Sequence, residues 1–120
     1  MKITTRPLER IYITAFGKET IEDGIVYTFL ALDDYSEYLF MLGTERVLNE
    51  KTLLNNITNL LNKKDFCKNL TNKFTLILPF GNDIKNEIDT IISSYNGNVI
   101  FDEKLVSKKF KPVFKVFKGF

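Results

Sequence analysis

Histidine is absent from this 120-residue chain, and cysteine occurs once, as Cys67. Without histidine, the chain lacks the commonest general base and the commonest zinc ligand of proteins. A single cysteine excludes an internal disulfide, is typical of a reducing compartment, and here has no histidine partner to activate it as a nucleophile. Gly-rich phosphate loops and metal-ligand spacings are also missing, so we expect neither a cofactor nor a metal.

Long apolar runs are missing as well. No stretch approaches the roughly 18 apolar residues that suggest a membrane-spanning helix, and no basic-then-apolar leader begins the chain. The expectation is a soluble protein of the cytoplasm. The apolar content of 44% is enough for the core of one domain, and the net charge of +2 carries no general bias toward nucleic acid.

Three strands are predicted in the first part of the chain. Residues 10–16 (RIYITAF) are β-branched and aromatic, and residues 25–32 are almost wholly apolar, as in a strand covered on both faces. Residues 37–42 (EYLFML) form the third predicted strand. The links at residues 17–24 and 33–36 are short, which favours an antiparallel meander.

The apolar period changes after residue 49 to that of helices. A first helix is predicted from Leu53, Leu54, Ile57, Leu60 and Leu61, with Asn49 as its N-cap. Residues 74–78 (FTLIL) read as a short buried strand. A second helix is predicted from Ile84, Ile88, Ile91, Ile92 and Tyr95, ended by Asn96 and Gly97 before a strand at 99–101. The predicted order is therefore βββαβαβ.

Several segments resemble the catalytic core of retroviral-type integrases and transposases, which has a ribonuclease H-like fold. The turn at residues 32–38 (LDDYSEY) is similar to the family's apolar-Asp-x-x-Ser-Arg turn, and Arg6-Pro7 resembles its basic-proline lead-in. Residues 12–16 are similar to the first family strand, and residues 76–81 (LILPFG) to the strand that ends in Ser-Asp-Asn-Gly. The resemblance covers residues 6–101 and implies an α/β fold with a mixed five-stranded sheet in the order 3-2-1-4-5.

The resemblance also implies where the catalytic acids belong, and there this chain departs from the family. Counting back from Asp33 places Ala15 on the first catalytic Asp, and matching Gly81 places Pro79 on the second. The third acid, a Glu, belongs on a helix after the fifth strand, where Glu103 is the nearby acid. Family chemistry uses paired acids to hold a divalent metal. We therefore expect no enzyme activity, no catalytic residues and no bound metal.

The remaining acids leave one alternative open, a metal-dependent nuclease with relocated carboxylates. Asp33 and Asp34 lie at the far end of the second strand, where an Asx-type role in the turn is favoured. Asp83 follows the second catalytic position and is expected to cap or open the second helix. The acids expected to be simply solvated in the first hairpin loop are Glu19, Glu22 and Asp23.

The last 18 residues differ in charge from the rest. Residues 103–120 (EKLVSKKFKPVFKVFKGF) carry six lysines and one acid, a net charge of +5, which leaves −3 for residues 1–102. We therefore divide the chain into an integrase-core-like domain, residues 1–102, and a basic aromatic tail, residues 103–120. The candidate nucleic-acid-binding residues are Lys104, Lys108, Lys109, Lys111, Lys115 and Lys118. All but Lys109 follow a 4, 3, 4, 3 spacing that aligns them on one helical face, although Pro112 and Gly119 oppose an unbroken helix.

Three roles are open for this tail. Lysines interleaved with aromatic residues can bind phosphate backbones and stack on bases. The same surface can contact a partner protein or an anionic membrane surface. In the third role, Val113, Phe114, Val116 and Phe117 pack on the core while the lysines reach into solvent.

The sequence thus predicts a catalytically inactive integrase- or transposase-core-like domain, a remnant of a mobile element, that binds DNA or a partner protein. A second copy of the chain is among the partners left open. The main alternative is a protein interaction module with no role in nucleic-acid binding.

Overall fold

The computed structural model describes residues 8–22, 24–63 and 73–118, with side chains described as far as residue 115. Its elements are β1 (Arg10–Thr20), β2 (Gly24–Asp33), β3 (Leu39–Glu45), α1 (Glu50–Leu61), β4 (Phe74–Leu78), a 3-10 turn (Asn82–Ile84), α2 (Lys85–Ser93), β5 (Gly97–Phe101) and α3 (Glu103–Lys118). The sequence expectations at Arg6, Pro7, Asp23, Cys67 and Gly119, and those for the side chains of Val116, Phe117 and Lys118, lie outside the described residues.

The five strands form one mixed sheet in the order β3-β2-β1-β4-β5. β1 and β2 pair antiparallel, as do β2 and β3, whereas β4 runs parallel to both β1 and β5. The α/β class, the mixed five-stranded sheet and the 3-2-1-4-5 order are therefore confirmed. The predicted βββαβαβ order is also confirmed, with α3 following it.

The first hairpin is longer than predicted. β1 continues to Thr20 because residues 17–20 pair with residues 24–27 of β2. The predicted loop over residues 17–24 was wrong, and Glu19 lies in the strand, paired with Ile25. β3 also begins and ends later than predicted, at Leu39 and Glu45. The end of this hairpin, residues 17–20 and 24–27, tolerates glycine and charged residues because many of its side chains face solvent.

Apolar residues cover both faces of the sheet, which explains the nearly continuous apolar run of β2. Phe29 and Ala31 point to a first core cluster that also contains residues of α1 and α2. Leu30 and Leu32 point to a second cluster, to which α3 contributes Val106 and Phe110. The last helix therefore completes the second face of the sheet.

Helix α1 begins where the sequence predicted it. Asn49 accepts a hydrogen bond from the Thr52 N–H at 2.9 Å, and its own N–H donates to the Thr52 hydroxyl at 3.1 Å. This reciprocal capping box satisfies two backbone donors that a helix start otherwise leaves unpaired. The second helix ends earlier than predicted, at Ser93 with Ser94 as its C-cap, and β5 begins at Gly97, before the predicted residue 99. Asn96, between them, has a φ of 62°, the left-handed conformation that asparagine tolerates.

Helix α3 corrects the expectation that Pro112 would interrupt a helix. It runs from Glu103 to Lys118 with Pro112 inside it. Pro112 is exposed, and at this proline the Lys108 carbonyl loses its i+4 donor. Val106 and Phe110 are 1% and 0% exposed, and their burial supplies packing energy that propensity rules do not include.

Gly81 occupies a position that other residues cannot take without strain. Its φ is +108°, and a Cβ there would lie 2.8 Å from Leu53 Cδ2. Leu53 is completely buried, so its side chain has little room to move. We expect Gly81→Ala to lower the free energy of unfolding by about 2–3 kcal/mol, measured by urea unfolding.

Gly24 provides a matched control for this substitution. Its φ is +71°, and a Cβ at this position would meet no atom within 4 Å beyond its chain neighbours. Gly24→Ala should therefore lower the free energy of unfolding only through the unfavourable positive φ, by about 1 kcal/mol. Equal losses for the two substitutions would contradict the close contact with Leu53.

Candidate functional site

The outer surface of α3 is the candidate site, and its orientation is set by the buried side of the same helix. Val106 and Phe110 lie against Tyr12, Leu30 and Ile77 on the sheet. The Asp102 carboxylate fixes the helix start by accepting the Leu105 N–H at 3.0 Å. With the apolar side held in place, the opposite side of the helix faces solvent.

Four of the predicted lysines form one row on that side. At 100° per residue, Lys104, Lys108, Lys111 and Lys115 fall within an arc of about 60°. All four are exposed, and their Cα atoms span about 16 Å along the helix axis. They line a groove of about 580 Å³ together with Ser107 and Phe114. We call this surface the lysine groove.

Phe114 forms the apolar side of the lysine groove. Its ring centroid lies 5.2 Å from that of Phe16 on β1 and 5.9 Å from that of Phe110. It is half-buried, so part of the ring packs on the core and part remains accessible in the groove. The prediction that Val113 and Phe114 pack against the core is thus confirmed, and Phe114 at the same time lines the lysine groove.

Lys109 is separated from the other candidate lysines. Its Nζ donates to the Asp34 Oδ1 at 2.9 Å and lies 5.5 Å from the centre of the Tyr12 ring. The hydrogen bond to Asp34 raises the pKa of Lys109 above its ordinary value of 10.5, against an opposing effect of burial. Charge placed Lys109 among the candidate binding residues although the helical spacing left it out of the row, and its contacts join α3 to Asp34, which directly follows β2.

Sequence reasoning also missed one residue of the groove. Ser107 lies three residues after Lys104 and four before Lys111, so helical spacing alone places it beside the lysine row. Its hydroxyl is exposed and adds a neutral hydrogen-bond donor to the four ammonium groups.

The contact between Lys109 and Asp34 carries a pH-dependent prediction. A pKa that is raised by folding stabilises the folded state fully below the unfolded value of 10.5, and this contribution disappears as the pH rises through the raised folded value. Lys109 is 39% exposed, so screening limits the contribution to about 1 kcal/mol. Lys109→Met should therefore lower the free energy of unfolding near neutral pH, and the difference from wild type should shrink above pH 10.5.

Lys108→Met is the control, because Lys108 lies in the exposed row of the lysine groove. A Lys109→Met difference that stays constant across the alkaline range, or that equals the Lys108→Met difference, would contradict this role of the ion pair.

The two positions aligned with catalytic acids lie near each other, one on β1 and the other just after its neighbour β4. Ala15 belongs to β1, and Pro79 directly follows β4, the parallel neighbour of β1. The paired register ends at Tyr12 and Ile77, so two further residues bring Pro79 level with Thr14, next to Ala15. Pro79 therefore lies close to Ala15, as predicted, but just beyond the end of its strand, and both residues are half-buried without a side-chain ligand oxygen.

The acids considered as replacements are dispersed over the structure. The Asp33 carboxylate accepts the Leu8 N–H at 3.0 Å and the Ser36 N–H and hydroxyl at 3.2 and 2.5 Å, which confirms its role in the turn. Asp34 pairs with Lys109. Asp83 is exposed in the 3-10 turn that precedes α2, and the N-cap of α2 is Ile84, so Asp83 lies before the helix and is not its cap. Across the part of the chain that the structure describes, no three His, Cys, Asp or Glu side chains are grouped for metal binding.

Comparison with known proteins gives no assignment: no protein-family model matches the chain, and no curated protein matches its sequence significantly. Within the described residues, no helix has the length and apolarity needed to cross a membrane.

Proposed function

We propose that this chain is a nucleic-acid-binding domain that contacts phosphate backbones through the lysine groove of α3. The observation that carries the proposal is the arrangement of Lys104, Lys108, Lys111 and Lys115 along one exposed groove. Each ammonium group can neutralise one phosphate and release its counterion, which is a major source of affinity for nucleic acid.

Charge distribution supports the same surface. Residues 103–120 carry +5, whereas residues 1–102 carry −3. A nucleic acid approaching the protein is therefore attracted toward α3 and repelled elsewhere. Because lysine contacts to phosphate carry no base information, binding should depend little on sequence.

We further propose that the domain has a ribonuclease H-like fold and is a catalytically inactive relative of integrase or transposase cores, left from a mobile element. The sheet order supports this relationship, as does the position of Ala15 on β1 and of Pro79 directly after the adjacent β4. At these two positions, where the resemblance implies metal-binding acids, the chain has side chains without ligand oxygens.

Titration of the full chain into a labelled oligonucleotide, followed by fluorescence anisotropy, tests the binding proposal. Four phosphate contacts predict that the affinity falls by about 50- to 150-fold between about 50 and 200 mM salt. The absence of binding at the lower salt concentration, or binding that is insensitive to salt, would refute the proposal.

The proposed lack of catalytic activity leads to a separate prediction. Purified protein should not cleave labelled duplex DNA or transfer strands in the presence of Mg²⁺ or Mn²⁺, since positioned metal ions need ligand carboxylates. Cleavage that depends on the metal and disappears in an Asp83→Ala or Glu103→Ala variant would instead establish a nuclease with relocated acids.

A further inference from the structure

We propose that the lysine groove prefers single-stranded over double-stranded nucleic acid, because Phe114 offers a stacking surface for an unpaired base. This inference rests on the proposed function and adds the class of ligand. Its basis is the presence of an aromatic ring in a groove whose other lining residues, among those the structure describes, are four lysines and a serine.

The position of the ring determines what it can contact. Phe114 is half-buried, and its packing against Phe16 and Phe110 holds the ring in place. A ring that is already fixed loses little conformational freedom when a base stacks on it. The four lysines of the same groove keep a bound phosphate backbone close to the ring.

Duplex and single strand differ in whether they can use this ring. In a duplex, the base faces are covered by their stacked neighbours, and a protein helix alongside the backbone reaches phosphates and sugars. An unpaired base has a free face, and stacking on an aromatic side chain tolerates any base. The lysines can contact the phosphates of both ligands, whereas Phe114 can stack only on a base of the single strand.

The length of the row sets the size of the ligand. The four lysines extend over about 16 Å of helix, enough for a strand of about four nucleotides, which is at the small end of known single-strand sites. Neither lysine nor phenylalanine distinguishes a ribose from a deoxyribose. Single-stranded DNA and RNA therefore share the required chemistry, and both belong in the test.

A tryptophan at position 114 provides a direct reporter, because the chain contains no other tryptophan. In the Phe114→Trp protein, oligothymidylate and oligouridylate should quench the fluorescence as they bind, whereas a duplex of equal length should leave it nearly unchanged. Quenching by the DNA strand, by the RNA strand or by both shows which of the two nucleic acids the groove binds. Quenching by neither of them, at concentrations where anisotropy shows binding, would overturn the stacking.

Phe114→Leu tests the energetic contribution while keeping an apolar residue in the packed position. We expect about tenfold weaker binding of single strands and unchanged binding of duplex. Phe40→Leu, which alters a half-buried phenylalanine on β3, is the matched control and should change neither affinity. Thermal unfolding of each variant establishes that the fold is retained.

The outcomes separate this inference from the proposed function. Tighter binding of single strands with a selective loss in Phe114→Leu supports both. Salt-dependent binding with duplex equal to or tighter than single strand, or with Phe114→Leu unchanged, overturns the single-strand preference and leaves the phosphate-binding function standing. Binding of neither ligand overturns both.

Discussion

Replacing Phe110 by alanine is expected to lower the free energy of unfolding by about 3–5 kcal/mol, the range for truncating a buried phenylalanine. Phe110 is fully buried, and its ring lies with Val106 against the apolar side chains of β1, β2 and β4. Truncation removes the transfer free energy of the ring and leaves a cavity between α3 and the sheet. Urea unfolding of the two proteins measures the difference.

Phe114→Ala is the comparison on the same helix, because Phe114 is half-buried. This substitution should lower the free energy of unfolding by about 1–2 kcal/mol, because the Phe114 side chain buries less apolar area than Phe110. Equal losses at the two positions would mean that α3 is not docked on the sheet through Phe110. A loss confined to α3, with the remaining chain folded, would show that the last helix unfolds as a separate unit.

The second large effect concerns binding. Changing Lys104, Lys108, Lys111 and Lys115 together to glutamine should weaken binding of a labelled oligonucleotide by about 100-fold at low salt and reduce the slope of log affinity against log salt by about three. Glutamine keeps the length and polarity of the side chain and removes its charge. Since these side chains are exposed, the fold should be unaffected. Anisotropy titrations at several salt concentrations measure both quantities.

A variant with the same change in net charge elsewhere is the necessary control. Lys18, Lys51, Lys63 and Lys85 lie outside α3, and their replacement by glutamine should weaken binding only through the general electrostatic attraction. A comparable loss in both quadruple variants would show that net charge, and not the lysine groove, governs binding. Unchanged binding in the α3 variant would leave its lysines as a solvated surface.

Local patterns predicted the elements that depend on neighbouring residues. The capping box at Asn49 and Thr52 and the turn held by Asp33 both use side chains within three residues of the backbone groups they bond. The apolar run of β2 likewise indicated a strand with two covered faces, which the two core clusters confirm. The sheet order 3-2-1-4-5 came from the family resemblance, because periodicity does not say which strands pair.

The extent of β1 was underestimated because strand pairing outweighs local composition. Gly17 is a poor strand former, yet it pairs with Tyr27 inside a ladder that continues to Thr20 and Gly24. A glycine fits there, since a Cβ would lie 3.1 Å from the Tyr27 ring. That close contact comes from the neighbouring strand and has no signature in the residues around Gly17.

The charge of the last 18 residues and the spacing that aligns five of their lysines could be read from the sequence, since both follow from residue order and the period of a helix. Whether those residues form a helix was decided by tertiary packing: burial of Val106 and Phe110 stabilises α3 through Pro112, against its local propensity. The helical spacing already left Lys109 out of the row, but only the tertiary structure gave it a partner, because Asp34 is 75 residues away in sequence. Contacts of that separation depend on the sheet order, which no local pattern encodes.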